Sequence, residues 1–333
     1  MDYSKSTNTQ YMRAQNLPWT ESPFFERELS ESSLSEEDKA FVKSFADNGY
    51  VVFDPQLDPA MIDELNRNMA PTYAKIGDGE QRIQDAWTYE ETVRKVAVSD
   101  VVLDKLRLLY QREPIPFQTL NFPFGSQQAT HSDMVHFNSI PQRFMCGVWV
   151  ALEDATPDNG PLHYYPGSHK LPFYDMIDLG VKASDNIETK KAIMAYAIDY
   201  TNFIRDMVKA LELKKQTLLI KKGQALIWSA NLLHGGEPIN TPGATRHSQV
   251  THYYFEDCVY YVPRLSDIAI NKLYLNRLVN IRTGEKVQNT YFGEEVKPRT
   301  KLHLQQSAAN MLRKVAPLFP KEVVAKIKSI IVR

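Results

Sequence analysis

Apolar and polar residues alternate with two different periods along this chain, and the change from one to the other divides it. After a polar opening to about Ser33, SLSEEDKAFVKSFADNGYVVF starts with Ser35 and Asp38 three residues apart and carries apolar residues at Phe41, Val42 and Phe45. This is a capped helix pattern, with a strand expected at Tyr50 to Phe53. Asp58 is placed to cap a second helix bearing Met61, Ile62 and Leu65, and Val101 to Tyr110 repeats the helical spacing. From Pro116 the texture changes to short runs rich in aromatic and β-branched residues, PFQTLNFPF, RFMCGVWVALE, TLLI, QALIWSA and HSQVTHYYF, separated by Pro, Gly, Asn and Asp. These read as strands of an antiparallel sandwich or barrel.

The pattern gives one domain, mainly β with helical additions. A polar tail over 1–33 precedes a mostly helical part over 34–112 and a β core over 113–262. An insertion over 171–215 interrupts the core, and a helical, basic extension covers 263–333. The insertion holds a helix with Tyr200, Phe203, Ile204, Met207, Val208 and Leu211 along one face. Its place inside a β domain suggests a lid or substrate loop, with simple packing as the other reading. The end of the chain, MLRKVAPLFPKEVVAKIKSIIVR, reads as a solvated helix docking by Val324, Ile327 and Ile331. Peripheral membrane contact is the less favoured alternative.

Composition narrows the function classes. Hydrophobic residues make up 43% and charged residues 24%, as in a globular protein with a real core. Thirty-nine basic residues against 40 acidic ones leave a net charge of −1, so no overall field draws nucleic acid or an anionic membrane. No apolar run is long enough to span a bilayer, and the N-terminus lacks the apolar stretch of a signal peptide. The two cysteines, Cys146 and Cys258, lack CxxC spacing and read as buried thiols. A soluble, cytoplasmic chain acting on a small molecule, as monomer or homodimer, is the expectation.

The candidate chemistry begins at THSDMVHF. His131 and Asp133 stand two apart, so in a strand they project to one face and can converge on an ion. Alone the pair is weak evidence, since a His and an Asp near a strand end commonly satisfy local hydrogen bonds. His234, in KKGQALIWSANLLHGGEPIN, is the third candidate, where a strand ends in a Gly-rich turn. Two histidines and one carboxylate on one side of an ion form the facial triad of non-haem iron oxygenases, with positions left open for co-substrate and O₂. Arg246 opens the next strand and offers a bidentate fork for a carboxylate, which lysine would not. His136 and His252 remain pocket possibilities without a role of their own, and Ser168 and His169 read as turn-stabilising residues beside the site.

Taken in order, His131-x-Asp133, then Gly147, Trp149, Ala151 and Leu152, then DATPDNGPLHYYPGSHK, then His234, Asn240 and Arg246, resemble the phytanoyl-CoA dioxygenase family. The resemblance runs from about Tyr50 to Phe255. It implies a double-stranded β-helix, or jelly roll, that binds Fe(II), 2-oxoglutarate and O₂. His131, Asp133 and His234 would be the metal ligands and Arg246 the partner of the 2-oxoglutarate C5 carboxylate. Trp149 stands where the family has a tryptophan in the co-substrate pocket, and Gln118, Asn121 and Gly236 are further candidates. Related halogenases replace the carboxylate ligand by a small residue, whereas Asp133 is retained, which favours hydroxylation. Desaturation, cyclisation, epimerisation and a non-catalytic 2-oxoglutarate-binding protein are the alternatives.

Overall fold

The computed structural model describes residues 16–76, 82–182 and 195–296. Helices α1 (Phe25–Glu31), α2 (Glu36–Asn48), α3 (Pro59–Tyr73), α4 (Glu91–Ala97) and α5 (Asp100–Tyr110) occupy the first third, and α6 (Thr201–Ala210) lies in the insertion. Local chemistry sets their ends. Ser35 accepts the backbone N–H of Asp38 at the start of α2, whose acidic first turn complements the helix dipole. Gly49, in the left-handed conformation at φ +80°, stops it. Asp58 caps α3 in the same way through Ala60 N–H.

A six-stranded antiparallel sheet follows, in the order β1 (Tyr50–Phe53), β8 (Ala225–Ser229), β5 (Met145–Ala151), β10 (Ser248–Phe255), β3 (Pro114–Phe122) and β2 (Ile83–Gln84). A three-stranded sheet comprises β7 (Gln216–Thr217), β6 (Leu162–Tyr164) and β9 (His234–Gly236). The short strands β4 (Asn138–Ile140) and β11 (Val259–Tyr261) pair separately.

Side-chain alternation splits the large sheet between two cores. On one face Val148, Val150, Ala225 and Ile227 join Leu65, Leu103 and Leu106 of the helices in one apolar cluster. On the other, Leu120, Trp149, Leu226, Trp228 and Val250 meet Leu162 and Tyr164 of the small sheet. The large sheet is thus covered by helices on one side and by strands on the other, and the candidate site lies on the strand side.

The expected helices and strands appear with boundaries close to those read from the sequence, but the opening segment differs. Residues 16–33 do not form a wholly polar tail: Trp19–Glu21 makes a 3₁₀ turn, α1 follows, and Trp19, Phe25 and Leu29 are buried. Their apolar residues were too sparse for a periodic signal. They are anchored by an edge-on Trp19–Phe25 pair at 5.5 Å and by a contact distant in sequence, Trp19 Nε1 donating to Leu108 O at 3.2 Å. The TLLI run yields only β7 and a bridge from Ile220 to Ala155.

The chain divides into two compact units, Met1–Val287 and Gln288–Arg333. In the second, the described residues form a hairpin of β12 (Thr290–Tyr291) and β13 (Glu294–Glu295). Residues 263–287 contain two 3₁₀ turns, Pro263–Leu265 and Ile268–Ile270, in place of the expected helix. The amphipathic helix read around Val324 and Ile331 lies outside the described residues. No helix among the described residues is long and apolar enough to cross a membrane.

Phe25→Ala should lower unfolding free energy by about 3 kcal/mol, the usual cost of emptying a buried phenylalanine site, measured by urea denaturation. A change below about 0.5 kcal/mol, typical of an exposed position, would return this segment to the status of a tail.

Candidate active site

Three segments from distant parts of the sequence meet on the strand side of the large sheet. His131 and His234 face one another across an antiparallel bridge and exchange both backbone hydrogen bonds, His131 N to His234 O at 2.9 Å and His234 N to His131 O at 3.0 Å. Asp133 opens the 3₁₀ turn Asp133–Val135, for which Ser132 is the cap, accepting the N–H of Met134. The same hydroxyl donates within the 230–231 turn, at 3.1 Å from both Ala230 O and Asn231 Oδ1. Ser168 Oγ accepts the N–H of Leu233, the residue before His234, at 2.9 Å. The two ligand-bearing turns are therefore tied to one another and to the PGSHK turn, the supporting role expected for Ser168.

His131, Asp133 and His234 are all buried, and one potential ligand atom of each lies within 4.8 Å of the others. Nε2 of His131 is 3.6 Å from Asp133 Oδ1, and Nε2 of His234 is 3.8 Å from Oδ2. In both histidines Nδ1 contacts a backbone carbonyl, Ala129 O at 2.8 Å and Leu232 O at 2.9 Å. A carbonyl only accepts, so Nδ1 donates in both rings and Nε2 is the nitrogen that faces the cluster. Burial, with His131 adding to it and Asp133 opposing, pushes the His234 pKa down to about 4, so this imidazole is neutral at pH 7. Burial alone would push the Asp133 carboxyl up, but His234, His131 and His252 outweigh it and hold it well below the usual carboxylate range. Two imidazoles and a carboxylate on one side of a point are a donor set for Fe(II) with positions to spare.

Arg246 lies just before β10, with its backbone N–H bonded to Pro123 O. It is 1% exposed, and its guanidinium sits over the Trp149 ring, 5.2 Å from the centroid. Among the described residues its Nε and Nη1 find no hydrogen-bond partner, and neither does Nε1 of Trp149. Burial lowers the Arg246 pKa to about 10, with Glu153 opposing, so the group remains a cation. A buried cation without an acceptor costs several kcal/mol, roughly, until an anion satisfies it. These orphaned donors fit a ligand carboxylate.

The other candidates fare differently. Gln118 faces the site, but its Oε1 is 3.0 Å from Nδ1 of His252. Asn121, an odd number of residues along the same strand, points to the opposite face; its Nδ2 donates to Gln249 Oε1, and Gln249 in turn donates to Val93 O in α4. The structure does not bring Asn121 to the site. Gly236 ends β9 where a Cβ would lie 2.7 Å from Gln127 N, so it serves close backbone approach. Two residues given no role from the sequence reach the ligands. Trp228 Nε1 donates to Asp133 Oδ2 at 2.8 Å, and His252 Nε2 lies 3.6 Å from the same oxygen. The parity of His252 with Arg246 along β10 hinted at the latter, while Trp228 sat in an apolar run indistinguishable from core.

The profile described as Phytanoyl-CoA dioxygenase (PhyH) matches residues 45–248, more than half of the chain and all three clustered residues. The chain belongs to the phytanoyl-CoA dioxygenase family. Among curated relatives, phytanoyl-CoA dioxygenase domain-containing protein 1 of Danio rerio is 27% identical over 168 residues, 49% of this chain and 53% of that protein. The Mus musculus protein of the same description is 29% identical over 85 residues, 24% of this chain and 29% of its own length. The matches thus span about half, or less, of these relatives.

Solved structures of similar fold include the non-heme alpha ketoglutarate dependent carbocyclase SnoK from nogalamycin biosynthesis (TM-score 0.53, 15% identity, 68% of this chain and 87% of that one). The epimerase SnoN, in complex with Fe3+, alpha ketoglutarate and nogalamycin RO, gives 0.52 at 17% identity over 76% and 96%. EctD from S. alaskensis, with 2-oxoglutarate and 5-hydroxyectoine, gives 0.52 at 15% over 80% and 88%. At these identities the likeness speaks for the fold of this family member and leaves its reaction open.

Single replacements His131→Ala, Asp133→Ala and His234→Ala should each weaken Co(II) binding, followed by calorimetric titration, beyond the roughly 10–100-fold typical of losing a supporting hydrogen bond. Melting temperatures should stay within a few degrees of the parent. Unchanged Co(II) affinity in any one of them removes that residue from the metal site.

Proposed function

We propose that the chain is an Fe(II)- and 2-oxoglutarate-dependent dioxygenase with a double-stranded β-helix core, hydroxylating an unactivated C–H of a small molecule and releasing succinate and CO₂. The observation that carries this reading is the pairing of a buried two-histidine, one-carboxylate cluster with a buried guanidinium whose Nε and Nη1 find no acceptor among the described residues. The first suits Fe(II), and the second suits the far carboxylate of a keto acid. Membership of the phytanoyl-CoA dioxygenase family supports the same reading.

In this function His131, Asp133 and His234 hold the iron, with Nδ1 of both histidines anchored to backbone carbonyls so that the rings cannot turn away. Iron, 2-oxoglutarate and O₂ together supply the oxidant that abstracts hydrogen from carbon. Arg246 binds the C5 carboxylate, and Trp149 forms the apolar wall beneath the guanidinium and contributes its Nε1–H as a second buried donor. The surrounding residues exclude water, which strengthens these charge contacts and protects the reaction from side products.

The insertion is our candidate for substrate selection. Tyr200 OH accepts the backbone N–H of Ser132 at 3.3 Å, and Tyr200 and Ile204 share an apolar cluster with Val135 and Leu233, beside the ligand turns. Incubating the protein with Fe(II), ascorbate, 2-oxoglutarate and a metabolite extract, and scoring for succinate and a product heavier by one oxygen atom, tests the reaction. Succinate with a product of parent mass or two hydrogens lighter would shift the reading to epimerisation or to desaturation or cyclisation. No succinate above a substrate-free control with any pool would leave a binding protein.

Arg246→Ala removes a charge-assisted bidentate contact and should weaken 2-oxoglutarate binding by roughly 2–4 kcal/mol, a rise in Kd of at least about tenfold. Arg246→Lys should recover only part, because it restores charge without the fork. An anaerobic titration of the Fe(II)–2-oxoglutarate charge-transfer absorbance, without substrate, measures both. An unchanged curve in Arg246→Ala would move the co-substrate anchor elsewhere.

A further inference from the structure

The two oxygens of Asp133 have different company. Oδ1 looks towards His131 Nε2 at 3.6 Å, whereas Oδ2 receives the Trp228 indole N–H at 2.8 Å and lies farther, at 3.8 and 3.6 Å, from Nε2 of His234 and His252. An indole nitrogen can only donate, so the sense of this bond is fixed. Trp228 is 3% exposed and Asp133 5%, which removes competing water from the contact. The same indole lies against the ring of His234, with centroids 4.9 Å apart and planes inclined by 44°. One side chain therefore touches two of the three clustered residues.

The indole reaches this place because of the residue across the sheet. Trp228 in β8 pairs with Gly147 in β5. A Cβ at position 147 would stand 2.9 Å from Trp228 Cη2 and closer still to Cζ2 and Cε2. Any other residue at 147 would push the ring off the strand and away from the carboxylate.

We propose that Trp228 is a positioning residue that engages Oδ2 of Asp133 and holds the carboxylate to metal ligation through Oδ1 alone, with Gly147 supplying the space the indole needs. This rests on the metal site of the proposed function. Its consequence concerns coordination number. A carboxylate bound through one oxygen leaves three of six positions for a chelating keto acid and O₂, whereas one bound through both leaves two. A packing role alone would require neither the indole N–H nor its aim at a ligand.

The test uses metal alone, without co-substrate. Trp228→Phe keeps an aromatic ring over Gly147 and removes the N–H; it should weaken Co(II) binding by about tenfold or more and change the intensity of the Co(II) visible bands, which report coordination number. Leu226→Val, on the same strand and face, controls for packing and should leave Co(II) affinity within about twofold, since Leu226 is an apolar member of the same cluster as Trp228 and carries no hydrogen-bonding group. Gly147→Ala should act in the same direction as Trp228→Phe. Should these variants fail to fold, the parent chain decides: of its four indole N–H signals, one should shift on adding diamagnetic Zn(II) well beyond the others. Parent-like Co(II) affinity and spectrum in Trp228→Phe overturns the proposal, as does a Zn(II) titration that moves no indole signal. If the parent itself binds no Co(II), the metal site fails, and that outcome is read separately from the role of Trp228.

Discussion

The reciprocal backbone bridge between His131 and His234 is the constraint on which the site depends. Each residue satisfies the other's N–H and C=O, so neither turn can shift without breaking two hydrogen bonds and leaving four backbone groups unpaired. The bridge also fixes which way the side chains leave the backbone, and it holds the two rings with centroids 4.5 Å apart. Around it the remaining bonds are consequences. Ser132 and Asn231 tie the two turns, Ser168 holds Leu233, and Asn231 Nδ2 reaches the carbonyls of His169 and Leu171. The large sheet supplies the floor on which this small sheet rests, through Trp149, Leu226 and Trp228 on one side and Leu162 and Tyr164 on the other.

Much of this was legible in the sequence because it follows from local rules. The start of α2 at Ser35 and the span of β1 are written in capping chemistry and in the switch from helical to strand alternation. The three clustered residues were legible as well, though less from the His131-x-Asp133 spacing than from the ordered company of Trp149, the PGSHK turn, His234 and Arg246. What was not legible depends on tertiary contact. Trp19 and Phe25 look like isolated apolar residues in a polar stretch, and their burial rests on tertiary contacts such as Trp19 Nε1 with Leu108 O of α5, on each other and on the large apolar cluster they join. Trp228 looks like any apolar strand residue, because the feature that matters is the glycine opposite, set by a register that no local pattern encodes. Gln118 and Asn121 show the same limit in miniature. Both belong to β3, but one-residue alternation sends the first to the site and the second to the helical layer.

The two buried charges in the centre are treated in opposite ways, and the contrast argues for the polarity of what binds. Asp133 receives the Trp228 N–H and has the imidazoles of His131, His234 and His252 around it. Its charge is well supported in the protein alone, which keeps it ionised as a metal ligand needs. Arg246 has an aromatic face and, among the described residues, no acceptor at Nε or Nη1, and burial has already lowered its pKa to about 10. The chain has therefore organised one end of the centre around an anion of its own and left the other end to be satisfied by an anion from outside. A ligand meeting both conditions carries oxygen donors for a metal at one end and a carboxylate at the other, with an apolar middle that Trp149 can cover. A dicarboxylic 2-oxo acid has this form, whereas a simple carbonyl substrate would leave the guanidinium unanswered. The proposed co-substrate would supply at Nε and Nη1 of Arg246 the acceptor that the described residues do not provide.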